Sequence, residues 1–189
     1  GVALLLLALA VLLGSLTPAQ APQPIAARLQ EIPAFFGAGD PLHQEVNDDN
    51  FALVERLAHW KAAERMFAAA PLLGVGPGNY AAAYDTYRLP GWTEPLGHAH
   101  NIYLNVLAES GIIGFAGFVV LWSVSLVFVL RRRAAHYGPF TRALAVGVLG
   151  VLAHLAVHSL VDNLFVQGIY GVVALWLALV DVSAQDDNV

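Results

Sequence analysis

The sequence predicts an all-α polytopic membrane protein with about four transmembrane helices and one long, partly helical periplasmic loop between the first and the second. Three observations predict it. Of 189 residues, 58% are apolar and 12% charged, against roughly 45–50% and 25% in a soluble globular domain. The apolar residues are gathered: 4–16 and 111–130 carry no charge, and 143–180 is broken only by His154, His158, Asp162 and a few uncharged polar groups. The basic residues Arg131, Arg132, Arg133 and Arg142 fall together in one short connection.

A bilayer core takes about 20 apolar residues as helix, which gives the following order. Residues 1–17 are a truncated transmembrane helix, 18–100 a periplasmic loop with short helices, and 101–130 a second span. Residues 131–142 are a basic cytoplasmic loop, 143–161 and 164–181 two further spans turning at Val161-Asp162-Asn163, and 182–189 a tail. The positive-inside rule sets this orientation from the four arginines of the 131–142 loop. The chain starts at Gly1 with an apolar run and no basic flank, so it reads as a piece of something longer. Ala19-Gln20-Ala21 imitates a signal-peptidase site, but the positively charged start of a signal peptide is missing.

Composition also excludes chemistries. Nine Lys and Arg against fourteen Asp and Glu leave no basic surplus to neutralise a nucleic-acid backbone. With no Cys there is no disulfide, no Cys-ligated metal and no thiol nucleophile. What remains is His, Arg, Asp, Glu and hydroxyls.

Within the outer segment, residues 18–40 hold Pro18, Pro22, Pro24, Pro33, Gly37 and Gly39 and read as irregular. Asn50 is placed to cap a helix that runs to about Ala70 and stops at Pro71. On it Arg56, His59, Trp60 and Ala63 share a face. Gly74, Gly76 and Gly78 then make a turn where backbone can approach a ligand. Tyr80, Tyr84, Tyr87 and Arg88 suit a short helix at the lipid headgroups.

Asn101, Asn105 and Glu109 recur every four residues, a polar stripe entering the second span. An ionisable group inside a membrane costs about 2.5–3.5 kcal/mol, so Glu109 needs a partner or a wet cavity; a purely architectural role in tying helices together is the competing reading. His98 and His100 lie above the stripe. Two apart, they point to opposite sides on extended backbone, so one of them is the reactive group. His154, His158 and Asp162 form a second row at spacing four, which with His98 or His100 has the donor types of a metal site. No His-Glu-x-x-His motif occurs, and no metal or other cofactor is expected.

Taken in order, Arg56-x-x-x-Trp60, the 71–80 turn, His98-Ala99-His100-Asn101-x-x-Leu104, Glu109-x-Gly111-x-x-Gly114 and His158-x-x-x-Asp162-Asn163 resemble the C-terminal part of the O-antigen ligase family. That family also includes O-antigen polymerases and protein O-oligosaccharyltransferases. The likeness covers about 52–179. It implies a glycosyltransferase of the bacterial inner membrane, multi-pass, with its active site facing the periplasm. Such an enzyme takes a glycan from undecaprenyl diphosphate and passes it to a lipid A-core sugar, or to another glycan or protein acceptor. The family's loop His falls on His100, with His98 the second choice, and its loop Arg falls on Arg56. A further Arg comes from an N-terminal half of the protein that this chain lacks, so the fragment is expected to be inactive alone.

The chemistry fits those residue types. A sugar hydroxyl attacks an anomeric carbon only as its proton is removed, and an imidazole does that at neutral pH. His100 is the expected base. The diphosphate leaving group needs charge, which Arg56 supplies in bidentate form, with Arg88 and Lys61 as lesser candidates and Gly74, Gly76 and Gly78 as N–H donors. Trp60, Asn101, Asn105, Glu109, His158 and Asp162 are expected to support the site. A transporter or channel fragment with polar stripes lining a path, and a metal-dependent membrane hydrolase, are the readings from other classes.

Overall fold

The computed structural model describes residues 45–48, 50–134 and 136–187. The expected first span at 4–16 and the Pro/Gly-rich stretch 18–40 lie outside them. The chain divides into two compact units, 1–54 and 55–189. Among the described residues there are five helices and no strand: α1 Phe51–Ala69, α2 Tyr80–Tyr87, α3 Ile102–Arg132, α4 Pro139–His158 and α5 Ile169–Asp186. Helices α3, α4 and α5 are long and apolar enough to cross a membrane, and the protein is a membrane protein.

The three spans pack on one another around Val129, Ala145, Val148, Leu152 and Val180. At one end Arg132 of α3 pairs with Asp181 of α5 at 2.9 Å, its guanidinium lying over the Phe128 and Tyr137 rings. Pro139 opens α4, where a missing N–H costs nothing. The connection from α4 to α5 takes residues 159–168 rather than a tight turn at 161–163, because α5 starts only after Gln167 and Gly168, both left-handed, at φ 52° and 84°.

Helix α3 is broken at Gly111, where φ is 61° and ψ −165°. From Ile112 to Arg132 the remaining helix is about 32 Å long at 1.5 Å per residue, enough by itself for a hydrocarbon core. The half-helix 102–110 is therefore spare length. Backbone groups freed by a break must find partners near a membrane, where each unpaired one costs several kcal/mol. Here the 70–76 turn supplies them. Val75 N–H donates to Ala108 O and Gly76 N–H to Glu109 O, both at 2.9 Å; Ile112 N–H donates to Pro71 O at 2.8 Å and Ile113 N–H to Leu72 O at 3.3 Å. So close a junction needs glycine on both sides. A Cβ on Gly111 would overlap the Leu72 carbonyl carbon, and one on Gly74 the Glu109 carbonyl carbon.

Just before α1, Asn50 and Asn47 bond reciprocally: the Asn50 side-chain oxygen accepts the Asn47 N–H at 2.9 Å, and Asn47 Oδ1 accepts the Asn50 N–H at 3.2 Å. Helices α1 and α2 share a core of Ala62, Ala63, Met66, Tyr80 and Tyr84 with Ala99 and Ala108. Tyr80 and Tyr84 are thus buried. Their spacing of four puts both rings on the face of α2 that meets α1, and His59 of α1 stacks on Tyr84 with centroids 4.7 Å apart.

Candidate active site

The polar stripe of α3 turns out to be a set of ties, each to a different stretch of chain. Asn101 caps α3 by accepting the Tyr103 and Leu104 N–H groups at 3.0 and 3.1 Å, and its amide donates to Leu160 O at 2.8 Å. Asn105 accepts the Ala99 N–H at 3.0 Å. Glu109 accepts the N–H of Tyr80, the first residue of α2, at 3.0 Å, a favourable place for a carboxylate. Glu109 thus has its partner, and it lies before the break in α3 rather than within the 112–132 helix. Together these bonds hold the 98–100 and 160–163 segments beside each other.

His100 is where they meet. Its backbone is left-handed, φ 51°, a costly conformation for a residue with a side chain. Three contacts hold it. Its N–H donates to His98 Nδ1 at 3.2 Å, its carbonyl accepts the Trp60 Nε1–H at 3.2 Å, and its ring Nδ1 lies 3.2 Å from Asp162 Oδ1. The left-handed turn also overrules the expectation that His98 and His100 face opposite ways: the two rings meet edge to face with centroids 4.5 Å apart.

These bonds fix where the protons sit. Burial pushes the Asp162 carboxyl up, but the Asn163 N–H, the His100 ring and the charge of Arg56 outweigh it and hold it below the usual range. Asp162 is thus ionised at neutral pH and can only accept, so His100 carries its proton on Nδ1. That leaves the lone pair on Nε2. Nε2 is buried and has no hydrogen-bond partner among the described residues. His98 accepts at Nδ1 and therefore, when neutral, carries its proton on Nε2; burial, then the neighbouring His100, lowers its pKa, with Asp162 opposing.

Sequence reasoning placed His59 on the Arg56 face but gave it no role in the site. It is fully buried, 1% exposed, with its ring 5.5 Å from that of His100. Tyr80 Oη donates to His59 O at 3.1 Å, so it accepts from His59 Nδ1–H at 3.0 Å. Burial first, then His100 and His98, bring the His59 pKa down to about 4, so the ring is neutral. It is a filler packed against the His100 ring that adds no charge.

The cationic candidates separate. The Arg56 charge is felt at Asp162. Lys61 is paired with Glu64 at 2.7 Å and Arg88 with Asp85 at 2.9 Å, both on the surface. The Gly74 N–H is spent on Ala70 O at 2.8 Å and the Gly76 N–H on Glu109 O at 2.9 Å, so those two glycines serve the junction with α3. Gly78, at φ 77°, faces open space. His158 is exposed and its ring lies 5.3 Å from that of His154; the row of three is split because α4 ends at His158, and Asp162 turns to His100 instead. A different trio, His98, His100 and Asp162, brings three possible metal-ligand atoms within 4.8 Å of one another. Neutral His98 has its one lone pair already bonded to the His100 N–H, so binding an ion there would break the contact that holds the left-handed turn.

A cavity of about 510 Å³ is lined by residues of all three spans. Its walls are mainly apolar, among them Phe118, Leu121, Trp122, Phe165 and Leu177, with Asn105, Glu109 and Asn163 adding polar groups. Asn163 follows Asp162 directly, so the cavity adjoins the charged cluster.

The family model for O-antigen ligase matches residues 1–119, a range that takes in Arg56, Trp60, the 71–76 turn, His98, His100 and the break at Gly111, and that stops before Asp162. No curated protein matches the chain. With nearly two thirds of its length under one family model, and with the helical membrane architecture described above, the chain belongs to the O-antigen ligase family.

Proposed function

We propose that the chain is part of a ligase that transfers a glycan from undecaprenyl diphosphate to a hydroxyl of a lipid A-core sugar, on the periplasmic side of the inner membrane. The observation that carries this reading is the His100–Asp162 pair, 3.2 Å apart with the far nitrogen of His100 unpartnered. Family membership supplies the substrate class.

In this mechanism the acceptor hydroxyl bonds to His100 Nε2. As its oxygen forms the new bond to the anomeric carbon, its proton passes to Nε2 and the bond from that carbon to the diphosphate oxygen breaks, inverting the centre. The imidazolium so formed is stabilised by ionised Asp162. Arg56 takes the charge growing on the leaving diphosphate; it needs no proton. Trp60 and His98 keep the ring aimed by fixing the backbone of His100. The cavity beside Asn163 suits the first isoprene units of the carrier, since it is apolar, adjoins the charged cluster and lies among the spans.

In the intact protein, His100→Ala and Arg56→Ala are expected to abolish glycan transfer while protein level and carrier-linked glycan stay as they were. Transfer unchanged in either variant rejects the assignment.

A further inference from the structure

The opposite end of the bundle carries a second feature that the transfer reaction does not use. Three consecutive arginines close α3, the last of them, Arg133, as its cap, yet they are not equivalent. Arg132 is consumed inside the protein by Asp181. Arg133 lines an open pocket of about 760 Å³ together with Arg142 from the first turns of α4. The rest of its wall is Leu130, Ala134, Pro139, Ala143 and Val146.

No acid among the described residues lines this pocket. Among the described residues neither the Arg133 nor the Arg142 guanidinium is in an ion pair or side-chain hydrogen bond. Of the carboxylates at the end of α5, Asp181 is committed to Arg132 and Gln185, and Asp187 to the Gly138 N–H at 2.8 Å. The first turn of α4 has no acidic residue, so its partial positive charge adds to the two guanidiniums. Leu130, Ala143 and Val146 belong to the two spans, so the wall beyond the charges is apolar and continues into the bilayer region. A soluble phosphate would leave that wall uncovered. A lipid covers it with acyl chain while its phosphate meets the arginines.

We propose that this pocket is a binding site for an anionic membrane phospholipid, its phosphate held between Arg133 and Arg142 and its acyl chains laid along Leu130, Ala143 and Val146. The proposal is independent of the glycan-transfer reading and rests on the spans alone. Both arginines are exposed and hold no part of the fold, so their replacement leaves a folded protein to test.

The test titrates phosphatidylglycerol into the delipidated intact protein in detergent and compares its thermal midpoint in phosphatidylcholine nanodiscs with and without phosphatidylglycerol. Replacing both Arg133→Gln and Arg142→Gln is expected to weaken phosphatidylglycerol binding about 30-fold, from the usual worth of one basic residue at an anionic lipid surface, and to erase the phosphatidylglycerol-dependent rise in midpoint. Arg131→Gln, which removes a charge at the same end outside the pocket, should weaken binding no more than about threefold if the pocket rather than general surface charge is responsible. Four results overturn the proposal: equal affinity for phosphatidylcholine, unchanged binding by the double variant, an Arg131→Gln loss as large as that of the double variant, or full competition by free glycerol phosphate.

Discussion

Asp162→Asn is the sharpest probe of the site, because it changes charge with little change of shape. The carboxylate holds the His100 proton on Nδ1 from 3.2 Å and so leaves the lone pair on Nε2. An amide can still accept the Asn163 N–H, bonded at 2.7 Å in the native chain, but it neither stabilises an imidazolium nor forbids the other tautomer. With the proton on Nε2 the ring has nothing to offer an acceptor hydroxyl. A positioned general base is worth about 10²–10⁴ in rate, or about 3–5 kcal/mol of barrier, and loss of the partner should forfeit most of it. Arg56 would meanwhile lose a nearby negative charge, so its attraction for a diphosphate does not weaken. The expected result is a kcat lowered by about 10²–10⁴ with a KM for the lipid-linked donor that does not rise. Initial rates of transfer with purified intact protein, donor and acceptor measure both. A kcat within about threefold of wild type, or a raised KM at unchanged kcat, would refute the dyad.

Trp60→Phe removes the donor that holds the His100 carbonyl; kcat should fall about tenfold at constant KM, in proportion to one lost hydrogen bond, and a loss confined to KM would contradict a positioning role. Gly111→Ala should cost more than about 3 kcal/mol, since left-handed strain adds to overlap with the Leu72 backbone, whereas Gly78→Ala, with nothing near its Cβ, should cost about 1 kcal/mol; thermal unfolding in detergent separates them, and equal shifts would show that the junction tolerates bulk. His59 has its folded pKa depressed from 6.5 to about 4. Its stabilisation is therefore complete above about pH 6.5 and is lost as pH falls toward about 4, by at most about 3 kcal/mol. Unfolding midpoints should drop across that window, more gently in His59→Phe; an identical slope in the variant would mean His59 is not the group taking up the proton.

The spans could be read from the sequence because a charge-free run such as 111–130 has few other uses. The break at Gly111 could not, since glycine is ordinary in membrane helices and the partners that permit the break lie some forty residues earlier, at Pro71 and Leu72. Asn101, Asn105 and Glu109 announced themselves by spacing, but what each one holds, Leu160, Ala99 and Tyr80, is tertiary information. The His98–His100 arrangement was misread on a simple ground: alternation assumes extended backbone, and His100 is left-handed. Asp162 was singled out by its four-residue rhythm with His154 and His158, although the end of α4 at His158 takes it out of that rhythm and gives it to His100. Tyr80 and Tyr84 looked interfacial because tyrosines often are; their burial against the His59 ring and the Met66 side chain is tertiary information that spacing alone does not carry.

The sealed state of His100 Nε2 bears on economy of the donor. A carrier-bound saccharide is an activated compound, and water at some fifty molar competes with any sugar alcohol for a bare base. Under the proposed mechanism, a lone pair walled off from bulk solvent would not spend the donor on hydrolysis while the site stands empty of acceptor. In that proposed transfer the acceptor would have to displace the His59 and His98 rings around it, and the wall would favour transfer over spillage.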